Sequence, residues 1–99
     1  MTLHLDTVLL KSFVAVAETG SFSQAADRIG RGQSAVSLQI KKLEAGLNAS
    51  LFDRTGQKVT LTEQGEIFLG YARRMLDLQD DAYSRLNTPD LRGEITLGT

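Results

Sequence analysis

Three runs of apolar residues at three- and four-residue spacing, each closed by a residue that tolerates a left-handed backbone, fill the first half of this chain. Leu9, Leu10, Phe13, Val14 and Ala17 make the first and stop at Gly20, Ala25, Ala26 and Ile29 make the second and stop at Gly30, and Val36, Ile40, Leu43 and Leu47 make the third and stop at Asn48. Such spacing puts each set on one face of a helix. The chain must therefore pack three short helices through tight turns in fewer than 50 residues. Asp6 or Thr7 can cap the first helix, which runs to about Glu18; Ser21 or Ser23 can cap the second; the third, from about Gln33 to Leu47, has only Arg31 or Gly32 before it. The small side chains of Ala25 and Ala26 let a neighbouring helix approach closely, as a helix pair joined by a tight turn requires.

After Asn48 the period changes. In LFDRTGQKVTLT, Leu51 and Phe52 precede a polar tip with Gly56, and Val59 and Leu61 alternate with Thr60 and Thr62, which predicts a two-stranded wing carrying Arg54, Gln57 and Lys58. From Thr62 to about Asn87 a helical pattern returns for roughly 26 residues, or about 39 Å at 1.5 Å per residue. Phe68, Ala72, Met75, Gln79, Ala82 and Leu86 alternate four and three apart as a heptad seam, and Ile67, Leu69, Tyr71, Leu76, Leu78 and Tyr83 widen the apolar surface around it. A helix this long cannot lay all that surface on a unit of under 60 residues. A second copy of the same helix is the simplest partner, and a following domain is the other. NTPD then breaks the pattern, and RGEITLGT alternates Ile95 and Leu97 with polar residues as a first strand would, so the chain reads as the front part of a longer protein.

Catalysis fits poorly. The single histidine, His4, stands near the N-terminus with no Ser or Lys in a nucleophile arrangement, and Asp80 and Asp81 are adjacent on a helix, where they diverge by about 100°. No phosphate-binding glycine loop and no metal-ligand spacing is present, and the absence of cysteine removes disulfides and thiolate chemistry. No apolar run reaches membrane-spanning length, and MTLHLDTVLL lacks the parts of a signal peptide, which makes the cytoplasm the default location.

The net charge of −1 hides an uneven distribution: residues 24–60 carry six bases and three acids (+3), whereas residues 61–99 carry four bases and seven acids (−3). The basic segment contains the third helix. Its apolar stripe leaves Gln33, Ser34, Ser37, Leu38, Lys41 and Lys42 elsewhere on the wheel. A short helix, a tight turn and a helix with a free polar N-terminal half is the helix-turn-helix layout, in which the second helix of the pair enters a major groove about 12 Å wide. Gln33 can pair with adenine or serve a phosphate, Ser34 and Ser37 can bond bases or phosphates, and Lys41 and Lys42 lie where phosphate attraction is expected. Arg31 adds a cation before the helix. Leu38 either lies against a thymine methyl or forms an edge of the buried stripe; Ser21 and Ser23 serve as caps, phosphate contacts or both.

SFSQAADRI, GQSAVSLQIKKLEAGLNASLFDR and VTLTEQG together resemble the N-terminal region of LysR-type transcriptional regulators, over about residues 6–97. The resemblance implies a mainly α fold: a winged helix-turn-helix, three helices plus a two-stranded wing, over residues 1–61; a long dimerising linker helix over 62–87; and a hinge with the first strand of an effector-binding domain over 88–99. It implies a bacterial, sequence-specific DNA-binding regulator that is not an enzyme, assembles as a dimer or tetramer on double-stranded DNA, and takes no cofactor in this portion. A small-molecule effector is expected for the later domain. The reading of the residues and the resemblance together give the candidate DNA-contacting set Ser23, Arg31, Gln33, Ser34, Ser37, Leu38, Lys41, Lys42, Arg54, Gln57 and Lys58, of which the resemblance itself carries Ser23, Gln33, Ser34, Ser37 and Arg54, and the candidate dimer seam Phe68, Ala72, Met75, Gln79, Ala82 and Leu86. Three positions depart from the family pattern: Gln57 stands where a basic wing residue is common, Gly32 where Ser or Thr usually precedes the Gln, and Leu38 where a polar or basic residue is frequent. Leu38 is expected to move operator preference toward A·T-rich half-sites, and at the wing either Lys58 substitutes for the missing cation or the wing contact is weaker. The rival reading is a protein-interaction module that pairs through the long helix with a different protein; an enzyme fragment is the remote third.

Overall fold

A computed structural model describes residues 6–54 and 58–87 of the chain. It comprises α1 (Thr7–Thr19), α2 (Phe22–Ile29), α3 (Gln33–Leu47), β1 (Phe52–Asp53), β2 (Thr60–Leu61) and α4 (Glu63–Asn87). His4, Gln57, the Gly56 tip of the wing and the hinge and strand expected over 88–99 lie outside the described residues.

The breaks fall where backbone chemistry allows them. Gly20 and Gly30 close α1 and α2 with φ of 68° and 73°, and Asn48 closes α3 at φ 54°, the one non-glycine residue with positive φ among those described. At Gly30 the next amide, Arg31 N–H, reaches back to the Ala26 carbonyl at 3.0 Å, satisfying a carbonyl that the helix end would otherwise orphan. Ser21, not Ser23, caps α2, accepting the Gln24 amide on Oγ at 3.1 Å. Asp6 occupies the N-cap of α1 without a side-chain cap bond, and Thr7 does not cap either: its hydroxyl donates to Gln79 Oε1 at 2.8 Å, across to α4.

The core is built around Phe13 of α1, fully buried, whose ring centroid lies 5.3 Å from that of Phe52 and 5.2 Å from that of Phe68. Tilted ring pairs at this separation gain about 0.5–1.5 kcal/mol beyond area burial. Ala25 and Ala26 are buried beneath α2, and Val36, Ile40 and Leu43 form the buried stripe of α3. Among the described residues Ser12 is the one buried polar side chain, and its hydroxyl donates to Gln39 Oε1, tying α1 to α3. A buried hydroxyl so paired avoids the desolvation penalty of an orphan.

The turn from α3 into the wing and back to α4 is held by one backbone unit. The Leu51 N–H donates to Glu44 Oε2 at 2.8 Å, and the Leu51 carbonyl accepts the Thr62 N–H at 3.0 Å. Thr62 Oγ1 donates to the Ser50 carbonyl at 2.6 Å and accepts the Gly65 N–H at 2.9 Å, capping α4. A Cβ on Gly65 would stand 2.1 Å from the Leu51 carbonyl oxygen, so only glycine lets α4 start this close to the wing. The wing ladder is short and antiparallel, pairing Phe52 with Leu61 and Asp53 with Thr60.

The first half of the heptad seam is used within the chain. Phe68 stacks on Phe13, Ala72 is buried at 0% exposure, Met75 packs against the same core, and Gln79 receives Thr7. Phe68, Ala72 and Met75 thus pack against the core of their own chain, while Gln79 is exposed and meets α1 through one hydrogen bond. Ala82 and Leu86, further along that seam, are exposed as well. The packing also crosses the division expected between residues 61 and 62, since Ala72 belongs to the same buried core as Phe13.

Candidate nucleic-acid interface

With Val36, Ile40 and Leu43 turned inward, the opposite face of α3 is set by geometry. Gln33 and Ser34 on its first turn are exposed, as are Leu38, Lys41 and Lys42, while Ser37 is half-buried at the margin. Gly32 gives α3 no side-chain cap, which leaves its first amides unclaimed by a side chain. Arg31 stands exposed just before them. The structure thus brings the sequence-derived α3 residues to one surface and places Leu38 within it rather than at a buried edge: its exposure is 61%.

The second group of candidates sits at the root of the wing. The Arg54 guanidinium lies 5.0 Å over the Phe22 ring, and its Nη2 is 3.7 Å from Glu44 Oε1. That distance is electrostatic pairing and too long for a hydrogen bond, so the N–H donors remain available for an anion. Phe22 opens α2, so Arg54 lies against the first residue of that helix, next in sequence to the exposed Ser23. Lys58 is exposed on the far arm of the wing.

Two acidic residues organise this surface and were not singled out from the sequence. Glu44 spans the α3–wing turn, one oxygen on the Leu51 amide and the other toward Arg54. Glu18 joins three helices: Oε1 accepts Arg28 at 2.6 Å from α2 and Oε2 accepts Arg73 at 2.9 Å from α4. The hydrogen bonds from Arg73 and then Arg28 hold the Glu18 carboxyl below its ordinary range against an opposing desolvation by burial. Glu44 lies inside the GQSAVSLQIKKLEAGLNASLFDR motif, whereas nothing in local spacing marks Glu18, whose partners are 10 and 55 residues away.

Among the described residues no group of His, Asp or Glu is placed to hold a metal ion, and no helix is long and apolar enough to cross a membrane. Fold and surface together define a winged helix-turn-helix with a long fourth helix. The family model for the bacterial regulatory helix-turn-helix protein, lysR family, matches residues 8–66, and the chain belongs to that family.

The chain is 46% identical over 96 residues to the HTH-type transcriptional regulator PecT of Dickeya dadantii, covering 97% of this chain and 30% of PecT. It is 46% identical over 94 residues to the HTH-type transcriptional regulator DgdR of Burkholderia cepacia, covering 95% of this chain and 32% of DgdR. It thus spans about a third of these relatives' length. Among solved structures it is similar to the BenM DNA-binding domain in complex with catB site 1 DNA, with a TM-score of 0.80 at 35% identity over 83% of this chain and 91% of that one. It is also similar to full-length CbnR in complex with its target DNA, with a TM-score of 0.78 at 37% identity over 82% of this chain and 28% of that one.

Proposed function

We propose that this chain is the DNA-binding portion of a LysR-type transcriptional regulator, acting without catalysis as a dimer on double-stranded DNA. The observation that carries the reading is the division of α3 into a buried stripe and an exposed face of Gln33, Ser34, Leu38, Lys41 and Lys42. The stripe fixes the helix to the core while the opposite face is free to enter a major groove. Gln33, Ser34 and Ser37 are the base-reading candidates. Lys41, Lys42, Arg31 and Arg54, with Ser23 and Lys58, are the phosphate-contact candidates, and Gln57, outside the described residues, completes the set read from the sequence.

The dimer surface shifts with the packing of α4. Since Phe68, Ala72 and Met75 are occupied by α1, the surface left for a second copy is the exposed stripe of Ile67, Tyr71 and Leu78, which continues to Ala82 and Leu86. Gly70 lies open beside Tyr71 and Arg74, giving a shallow depression into which a partner side chain fits. Ile67, Tyr71 and Leu78, four and then seven residues apart, keep heptad spacing, as a helix pair requires. A small-molecule effector belongs, in this reading, to the part of the protein that corresponds to the remainder of PecT and DgdR. Cytoplasmic location follows from a DNA partner in a bacterium.

Selection of bound duplexes from a random-sequence pool, followed by affinity measurement at several salt concentrations, tests the reading. Enrichment of a two-fold symmetric sequence with a steep salt dependence is expected. A protein-interaction module pairing through α4 would enrich none.

A further inference from the structure

Six large hydrophobic side chains are exposed among the described residues, and five of them, Ile67, Tyr71, Leu78, Tyr83 and Leu86, lie on α4, where a second helix accounts for them. The sixth is Leu38, alone on α3. A single exposed leucine is ordinary on a protein surface. Leu38 differs by its position: Ser34 precedes it and Lys42 follows it by four residues, so the three form one ridge along the exposed face. Four residues advance a helix by about 6 Å. A duplex that engages the polar residue at one end of this ridge and the lysine at the other must cover Leu38 between them.

What covers it is restricted by the chemistry of base edges. In the major groove every base offers donors or acceptors, and the one apolar group is the C5-methyl of thymine. A leucine pressed on an amine or carbonyl edge strips that group of water and returns no hydrogen bond. Pressed on a methyl, it removes apolar surface from water on both sides.

Resting on the DNA-binding reading above, we propose that Leu38 is a specificity-determining residue that recognises a thymine methyl in each half-site. The recognised feature is the methyl group and not the hydrogen-bonding pattern of the base. Each half-site then has one position at which thymine and 5-methylcytosine rank above uracil and cytosine.

The test uses duplexes selected by this chain from a random pool, with each half-site thymine replaced in turn by deoxyuridine. At one position the replacement is expected to weaken binding about four-fold per half-site, and about fifteen-fold when both half-sites are changed, the effect of one buried methyl taken once and twice. Replacing cytosine by 5-methylcytosine there restores the same factor. Leu38→Ser, at an exposed position whose thermal unfolding serves as the folding control, is expected to bind thymine and deoxyuridine duplexes equally, while Leu38→Met keeps the difference. Equal binding of thymine and deoxyuridine duplexes by the unaltered chain at every position overturns the inference alone, as does a methyl preference that survives in Leu38→Ser. A pool that yields no enriched sequence overturns the DNA-binding reading as well.

Discussion

At the scale of residues, the contacts proposed for the polar face of α3 are of two kinds with different signatures. Gln33, exposed on the first turn, is suited to a base edge, so Gln33→Ala is expected to relax discrimination at one base step by roughly 1–3 kcal/mol, read as the ratio of operator to random-duplex affinity. Lys42, about two and a half turns further along, is the proposed phosphate contact. Lys42→Ala should weaken binding to all sequences alike and reduce the salt slope by about one unit; an unchanged slope removes it from the phosphate contacts. Gly65 carries a structural prediction of another kind. Its missing Cβ would lie 2.1 Å from backbone, the Leu51 carbonyl oxygen, which no rotamer change relieves. Gly65→Ala is therefore expected to destabilise by about 1–3 kcal/mol, as overpacking does, with a fall in unfolding midpoint in denaturant. The VTLTEQG motif thus owes its glycine to a helix start that touches the wing, and its second threonine, Thr62, to the cap bond with that same glycine.

At the scale of elements, α4 has two apolar stripes and the fold spends one of them. Phe68 and Ala72 lie on α1, while Tyr71 and Leu78 remain exposed. Glutamate at each stripe separates the two roles. Leu78→Glu is expected to leave the thermal unfolding of the monomer nearly unchanged and to shift a dimer toward monomer in analytical ultracentrifugation. Ala72→Glu is expected to lower the unfolding temperature itself, because an unpaired carboxylate enters the core. If Leu78→Glu left the dimer intact, the exposed stripe would not be its interface. The apolar residues of both stripes were legible in the sequence, and so was the length of the helix. Their assignment was not, because helical periodicity reports that a face is apolar and is silent about which neighbour arrives to cover it.

At the scale of the whole molecule, Glu18 connects α1 to α2 through Arg28 and to α4 through Arg73, so it braces the long helix against the helix-turn-helix. Its carboxyl is held below the ordinary range in the fold, chiefly by Arg73 and then Arg28, which means that it adds stability above its unfolded pKa and loses that contribution as pH falls through the depressed folded value. With the carboxylate 37% exposed, solvent screening keeps the gain to that of a surface pair, at most about 1 kcal/mol. Thermal unfolding of the unaltered chain and Glu18→Gln should therefore differ slightly at neutral pH and converge in acid below the usual carboxylate range. A gap that stays constant on acidification rules the brace out. By itself the sequence determined three helices closed at Gly20, Gly30 and Asn48, a wing, a long helix, and a polar face on α3 opposite Val36, Ile40 and Leu43, because each is written in local spacing and in residues with particular backbone freedom. Only the tertiary structure decided that Ser21 is the α2 cap, that Glu44 and Phe22 hold Arg54, that Glu18 braces α4, and that Ala72 is core while Leu38 stands exposed. These depend on which residues distant in the chain come within a few ångströms of one another, and local spacing carries no record of that.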